Sequence, residues 1–272
     1  MQGDRGMSTR SARRWGRYGP RVTALGLQLR RGWSLVVAVT IVLEAGCGEG
    51  ASPTTAAVQR VDGCLRLGRG AERTQVRVQA SLTLRGAVIG AGRDGVVLAN
   101  QSDRDLCSWL PLARALTHAG FRVLLFDYSG AEPQADVAAA AREPRREGAR
   151  SVALIGASKG ARAVLVAASL RAAGAAAVVS LSAESTGRTG PPRIAPFVRR
   201  LRVPVLFVAA RHDPWTADGA DTRELYSAAR LAERRLVELP GDAHGVDLLA
   251  GPRGKRVRDV IVAFLHRHAQ IR

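Results

Sequence analysis

Lysine is almost missing from this 272-residue chain: among 41 basic residues, Lys159 and Lys255 are the only lysines, and the arginines run along its whole length. Arg, Ala and Gly are abundant together, which reads as coding bias. The formal net charge of +18 is accordingly taken as a solvated basic surface. No clustered basic patch and no known nucleic-acid module accompany it, so nucleic acid is not an expected partner, and weak attraction to anionic lipid headgroups is all that the charge implies. Cysteine is scarce, with Cys47, Cys64 and Cys107 only, and no cluster of metal-ligating residues is visible, so neither a metal nor a cofactor is expected. There is no internal repeat. The eleven-residue apolar run 33–43, WSLVVAVTIVL, is short for a membrane span, which takes about 20 residues. What is present is an ordinary 46% hydrophobic fraction, which argues against wholesale disorder.

The apolar run is placed as a secretory h-region would be. Arg30-Arg31-Gly32 precedes it and the small residues Ala45 and Gly46 follow it, directly before Cys47. The stretch LEAGC (43–47) resembles a bacterial lipoprotein processing box, with Glu44 departing from the usual apolar residue. That resemblance implies cleavage at Cys47 and lipidation of its side chain, giving a cell-envelope lipoprotein on the outer face of the membrane, or a secreted protein. Residues 1–46 are read as this signal peptide, 47–72 as a linker of small and polar residues, and 73–272 as one domain. Cys64 and Cys107 can pair in an oxidising compartment, or stand as two isolated thiols.

From residue 75 onward the pattern is that of strands and helices in alternation. QVRVQ (75–79) and 81–89 alternate like antiparallel strands with one face exposed. The later runs at 95–99, 121–127, 152–155, 177–182 and 203–210 are short and mostly apolar, as in a parallel sheet covered on both faces, and 235–239 is the last strand. Helical stretches at 105–119, 134–148, 159–173, about 219–232 and 254–269 separate them. The expected fold is a single α/β domain, doubly wound and mostly parallel. The irregular insert 184–200 is too short for a full lid domain, so an open site is expected.

One join stands out. Gly156-Ala-Ser-Lys-Gly160 is a G-x-S-x-G match that ends an apolar strand and opens a helix. In a glycine-rich chain the pattern alone is weak, and a serine there also serves as an ordinary helix cap. Its setting is that of a nucleophile elbow, where a sharp turn exposes the hydroxyl and crowds the flanking positions. The N–H of Lys159 is then free to face a developing oxyanion. A serine hydroxyl needs a base. Of the histidines at 118, 212, 244, 266 and 268, His244 lies in the loop LPGDAHG (239–245) after the last strand, where it can reach a serine at the carboxyl edge of the sheet. Three carboxylates can orient that base: Asp213, directly after strand 203–210, Asp242 and Asp127. Asp213 suits the chain order Ser, Asp, His.

With these stretches in hand, GVVLANQSDRDLCSW, LIGASKGA, PVLFVAARHD and LPGDAHGVDLL, residues from about 75 to 269 resemble the alpha/beta hydrolase superfamily, near its small dienelactone hydrolase-like esterases. The resemblance implies Ser158 as nucleophile, Asp213 as orienting acid and His244 as general base. It implies a second oxyanion donor from the loop after strand 95–99, the backbone N–H of Ser102 or Gln101, beside that of Lys159. Asn100 stands where relatives often carry histidine, and it is expected to shape this loop. The implied activity is hydrolysis of small carboxylic esters, without cofactor or metal. The alternatives are a peptidase, thioesterase or acyltransferase on the same triad, or a non-catalytic ligand-binding lipoprotein of this fold.

Overall fold

The computed structural model describes residues 71–79, 82–130, 132–187 and 190–269. The expected leader 1–46, the lipidation site Cys47 and Cys64 lie outside the described residues. So does the expected linker, apart from its last two positions, which already belong to the first strand.

Short apolar runs become strands because each can bury both faces at once. The strands are β1 Ala71–Gln79, β2 Leu82–Ile89, β3 Asp94–Ala99, β4 Phe121–Phe126, β5 Ser151–Ala157, β6 Ala177–Leu181, β7 Val205–Ala210 and β8 Arg234–Leu239. They form one sheet in the order β1-β2-β4-β3-β5-β6-β7-β8. The pairs β1–β2 and β2–β4 are antiparallel, and β3 to β8 run parallel. The register aligns Leu124, Val97, Leu154, Val178 and Val205 across five strands on one face. One residue further along, Leu125, Leu98, Ile155, Val179 and Leu206 line the other. All ten are buried, which is what a two-residue side-chain period demands when both faces are covered.

The helices are α1 Leu110–His118, α2 Pro133–Ala140, α3 Glu143–Arg146, α4 Lys159–Ser169, α5 Ala195–Val198, α6 Ala220–Ala228 and α7 Gly251–His268. Leu112 and Leu116 of α1 and Val257, Ile261 and Leu265 of α7 pack on one face of the sheet. Val137 of α2, Val164 of α4 and Leu225 of α6 pack on the other. The sequence-based helix at 134–148 is two helices. Ala141 and Arg142 separate them, and Pro144 sits in the first turn of α3, a position that tolerates its missing N–H where a continuous helix would not. The stretch 105–119 opens with a 3-10 turn over Leu106–Trp109, capped by the Asp105 carboxylate, which accepts from the N–H of Cys107 at 3.0 Å. Cys107 is disulfide-bonded. The insert after β6 holds the four-residue α5 and a bridge between Thr186 and Arg193, and its described residues form no lid domain.

β3 pairs with β4 on one side and β5 on the other, so successive crossovers from β3 turn to opposite sides. A crevice at the carboxyl edge is the consequence of such a reversal. Asn100, Ser158, Asp213 and His244 all follow the carboxyl ends of strands bordering that edge: β3, β5, β7 and β8.

Candidate active site

Ser158 has φ 51° and ψ −115°, a left-handed conformation that L-residues avoid and that costs about 1–3 kcal/mol wherever surrounding structure enforces it. Its N–H donates to Leu181 O at 2.9 Å, and its carbonyl accepts the first bond of α4, from Arg162 N at 3.1 Å. The two glycines of the motif are there for space. A Cβ on Gly156 would overlap the carbonyl of Gly160, and a Cβ on Gly160 would overlap the carbonyl oxygens of Ala99 and Asn100. The elbow therefore brings β3, β5 and α4 closer than any side chain permits. The N–H of Lys159 belongs to the first turn of α4, where backbone donors have no intrahelical partner and the helix dipole is positive.

His244 Nδ1 lies 2.9 Å and 3.0 Å from the two carboxylate oxygens of Asp213. Asp213 is fully buried, and it also accepts from Trp215 N at 3.1 Å. A buried carboxylate on Nδ1 fixes the ring tautomer and leaves Nε2 as the basic nitrogen. The chain directly after His244 is fastened twice. Gly245 N–H donates to the buried Ser182 hydroxyl at 3.0 Å, and Val246 N–H donates to Gln101 Oε1 at 2.9 Å. Gly245 has φ 57°, and a Cβ there would run into Gln101 Oε1, so this position needs glycine twice over. His212, the other histidine at this edge, is exposed, with its N–H bonded to Gly241 O at 3.0 Å. Asp127 faces Asn100 and, at 3.9 Å, Arg85. Of the three carboxylates considered for His244, Asp213 is the one that bonds it.

The loop after β3 carries Asn100, Gln101 and Ser102. Asn100 Nδ2 donates to Phe126 O at 3.0 Å and to Asp127 Oδ1 at 3.2 Å, its Oδ1 accepts from Trp109 Nε1 at 2.9 Å, and its carbonyl accepts from Tyr128 OH at 3.2 Å. Gln101 is buried, with Nε2 donating to Asp103 Oδ1 at 2.8 Å. Ser102 lines an open cleft of about 890 Å³ together with Ser158, Lys159, Arg162, Glu184 and Trp215.

The cleft also holds the charged side chains of Lys159, Arg162 and Glu184. Burial pushes the Lys159 ammonium below its usual range, an effect partly offset by the Asp136 carboxylate; its Nζ lies 4.5 Å from the centre of the Tyr128 ring. Burial likewise raises the Tyr128 phenol well above its usual range. Arg162 is buried on α4, and its guanidinium donates to Glu184 O at 2.9 Å and Pro191 O at 2.6 Å, tying the insert after β6 to the elbow helix. Burial raises the Glu184 carboxyl, against the attraction of Arg162 and His244. An arginine among the alanines of 161–168 was the available signal for Arg162. Glu184 and Trp215 left none, because each reaches the cleft through a tertiary turn.

No family model matches the chain, and no curated protein matches it in sequence. Solved structures do. An esterase of Pyrococcus furiosus superposes with a TM-score of 0.65 at 15% identity, over 74% of this chain and 92% of the other. The esterase domain of a Rhodothermus marinus protein gives 0.62 at 22% identity, over 74% and 100%. A dienelactone hydrolase of Anabaena variabilis gives 0.61 at 20% identity, over 74% and 98%. The fold is that of the alpha/beta hydrolases. The expected doubly wound, mostly parallel architecture is thus met.

Proposed function

We propose that the protein is a serine hydrolase that cleaves carboxylic esters through an acyl-enzyme. The observation that carries this reading is the buried Asp213 carboxylate on His244 Nδ1, at the same sheet edge as a serine held in a left-handed turn. In the scheme, Ser158 Oγ attacks the ester carbonyl while His244 Nε2 takes its proton. The tetrahedral oxygen is held by the N–H of Lys159 and by an N–H of the β3 loop, from Ser102 or Gln101. His244 then protonates the leaving alkoxide, and water, deprotonated by the same nitrogen, releases the acid. No step uses a cofactor or a metal. That the described residues of the short insert after β6 build no lid domain supports small or moderately sized acyl groups. The esterase names of the superposed structures support the reading only through the shared fold.

The test is a panel of esters, thioesters and amides with purified wild type and Ser158→Ala. Hydrolysis of short-chain esters by the wild type, lost by several orders of magnitude in the variant, is the expected result. Export and anchoring through lipidated Cys47 belong to the same proposal and rest on the sequence of the leader alone. Membrane fractions that hold the wild type and release Cys47→Ser are the expected outcome.

A further inference from the structure

Trp215 is 68% exposed, and among the described residues only Leu170 is another exposed large apolar side chain. Leu170 lies past the far end of α4 from Ser158. Trp215 is on the rim of the cleft that Ser158 lines, with its ring centroid 6.1 Å from that of His244. An indole left in water beside a nucleophile forgoes the burial that usually places it.

Its position is instead set by backbone. Pro214 restricts the chain before it, and its own N–H is bonded to the carboxylate that bonds His244. The three residues Ala217, Asp218 and Gly219 then turn the chain back with φ of 48°, 55° and 74°. Two of these are not glycine, so the loop holds conformational strain just where it presents the ring. The N–H of Asp218 closes the turn onto Asp213 O at 3.0 Å. Base and indole are therefore mounted on one residue.

The rest of the cleft has little to offer an alkyl chain. Among the described residues no leucine, isoleucine, valine or phenylalanine lines it; the apolar side chains there are Trp215, Pro192 and Pro214, set among hydroxyl and charged groups. An aliphatic acyl chain gains by burial against other aliphatic groups. A ring with a flat face gains by stacking on indole, whether that face is aromatic or the C–H face of a sugar.

We infer that Trp215, whose ring flanks the His244 ring that protonates the leaving alkoxide, is a specificity-determining platform on which the ring of a substrate's alcohol portion is laid, so that the site selects short-acyl esters of ring-bearing alcohols over those of linear alkyl alcohols. This rests on Ser158 being the nucleophile. The experiment compares kcat/KM of wild type, Trp215→Ala and Trp215→Phe for benzyl acetate, an acetylated methyl glucoside and n-hexyl acetate. The acyl group is constant, and comparing enzymes cancels the intrinsic reactivity of each ester. Labelling of Ser158 by a fluorophosphonate is followed in parallel and tests the nucleophile separately. The expected result is that Trp215→Ala lowers the preference for at least one ring ester over n-hexyl acetate by roughly tenfold, mainly through KM, and that Trp215→Phe restores most of it. Loss for benzyl acetate identifies an aromatic alcohol, and loss for the glucoside a carbohydrate. Equal loss for all three esters would give the ring a purely structural role and overturn the inference. So would an unchanged preference.

Discussion

Replacing Asn100 by Ala should damage the fold more than the chemistry. The side chain makes three hydrogen bonds, to Phe126 O, to Asp127 Oδ1 and from Trp109 Nε1. Trp109 is fully buried, so its indole N–H is left with no acceptor and no route to water. One such orphan costs about 1–3 kcal/mol, and the loss of the bonds to Phe126 and to the partly exposed Asp127 adds about 1 kcal/mol. The sum is ~3 kcal/mol, a large part of the 5–15 kcal/mol that holds a typical domain together, and equivalent to a fall in Tm of roughly 6–12 °C for a domain of this size. Burial already raises the Asp127 carboxyl, and the Asn100 amide is one of the groups opposing that rise, so the variant should raise it further. The kinetic effect is indirect. Asn100 cannot carry a proton near neutrality, and it supports the loop that bears an oxyanion donor, so kcat should fall by less than the 10²–10³ of losing such a donor. The pH dependence of kcat should keep its shape, because the substitution removes no group that carries a proton in the reaction. Urea denaturation followed by circular dichroism and a pH–rate profile on an aryl ester give both quantities. A stability loss below about 1 kcal/mol, or a rate loss equal to that of Ser158→Ala, would refute the reasoning.

Three other substitutions probe separate parts of the account. Asp213→Asn keeps the shape of the buried carboxylate and disturbs the tautomer of His244, so kcat should fall by roughly 10³–10⁴ with circular dichroism unchanged; a loss under tenfold would remove Asp213 from the scheme. Gly160→Ala drives a methyl group into the Ala99 and Asn100 carbonyls and should cost at least about 1–3 kcal/mol in urea titrations, together with activity; a variant as stable and active as wild type would contradict the close approach of β3 and α4. Glu184 has a raised carboxyl because of its burial. Such a group contributes stability that is present below its unfolded value, near 4.5, and lost as pH rises through the folded one. Glu184→Gln should therefore match wild type below that range and exceed it above, and a difference of the opposite sign would show that Arg162 and His244 outweigh burial.

The parallel strands were readable because a strand buried on both faces has no choice but a continuous apolar run, as in VALI (152–155) and VLFVAA (205–210). The elbow was readable because its glycines are forced by contact, and Asp213 and His244 because each lies in the loop after a strand end. Helix ends were less so. Nothing in an alanine-rich stretch such as 134–148 marks a break except Pro144, and proline is also a legitimate first-turn residue. The hydrogen-bonded props of the site were out of reach. Gln101 meets Val246, and Ser182 meets Gly245, across chain separations that no local pattern encodes. Asn100 was legible as a loop-shaping residue, and its bonds to Trp109 and Phe126 needed the packed structure.

The most direct test of the central claim is covalent. Purified wild-type protein is treated with a fluorophosphonate probe, digested and mapped by mass spectrometry, with Ser158→Ala alongside. A serine activated by His244 and an oxyanion hole reacts quickly and at one place. The account predicts a single adduct on the peptide containing Ser158, its formation slowed by His244→Ala, and none on that peptide in Ser158→Ala. A folded protein that takes up no probe, or takes it up on a different serine at the wild-type rate, would contradict the assignment of Ser158 as the nucleophile.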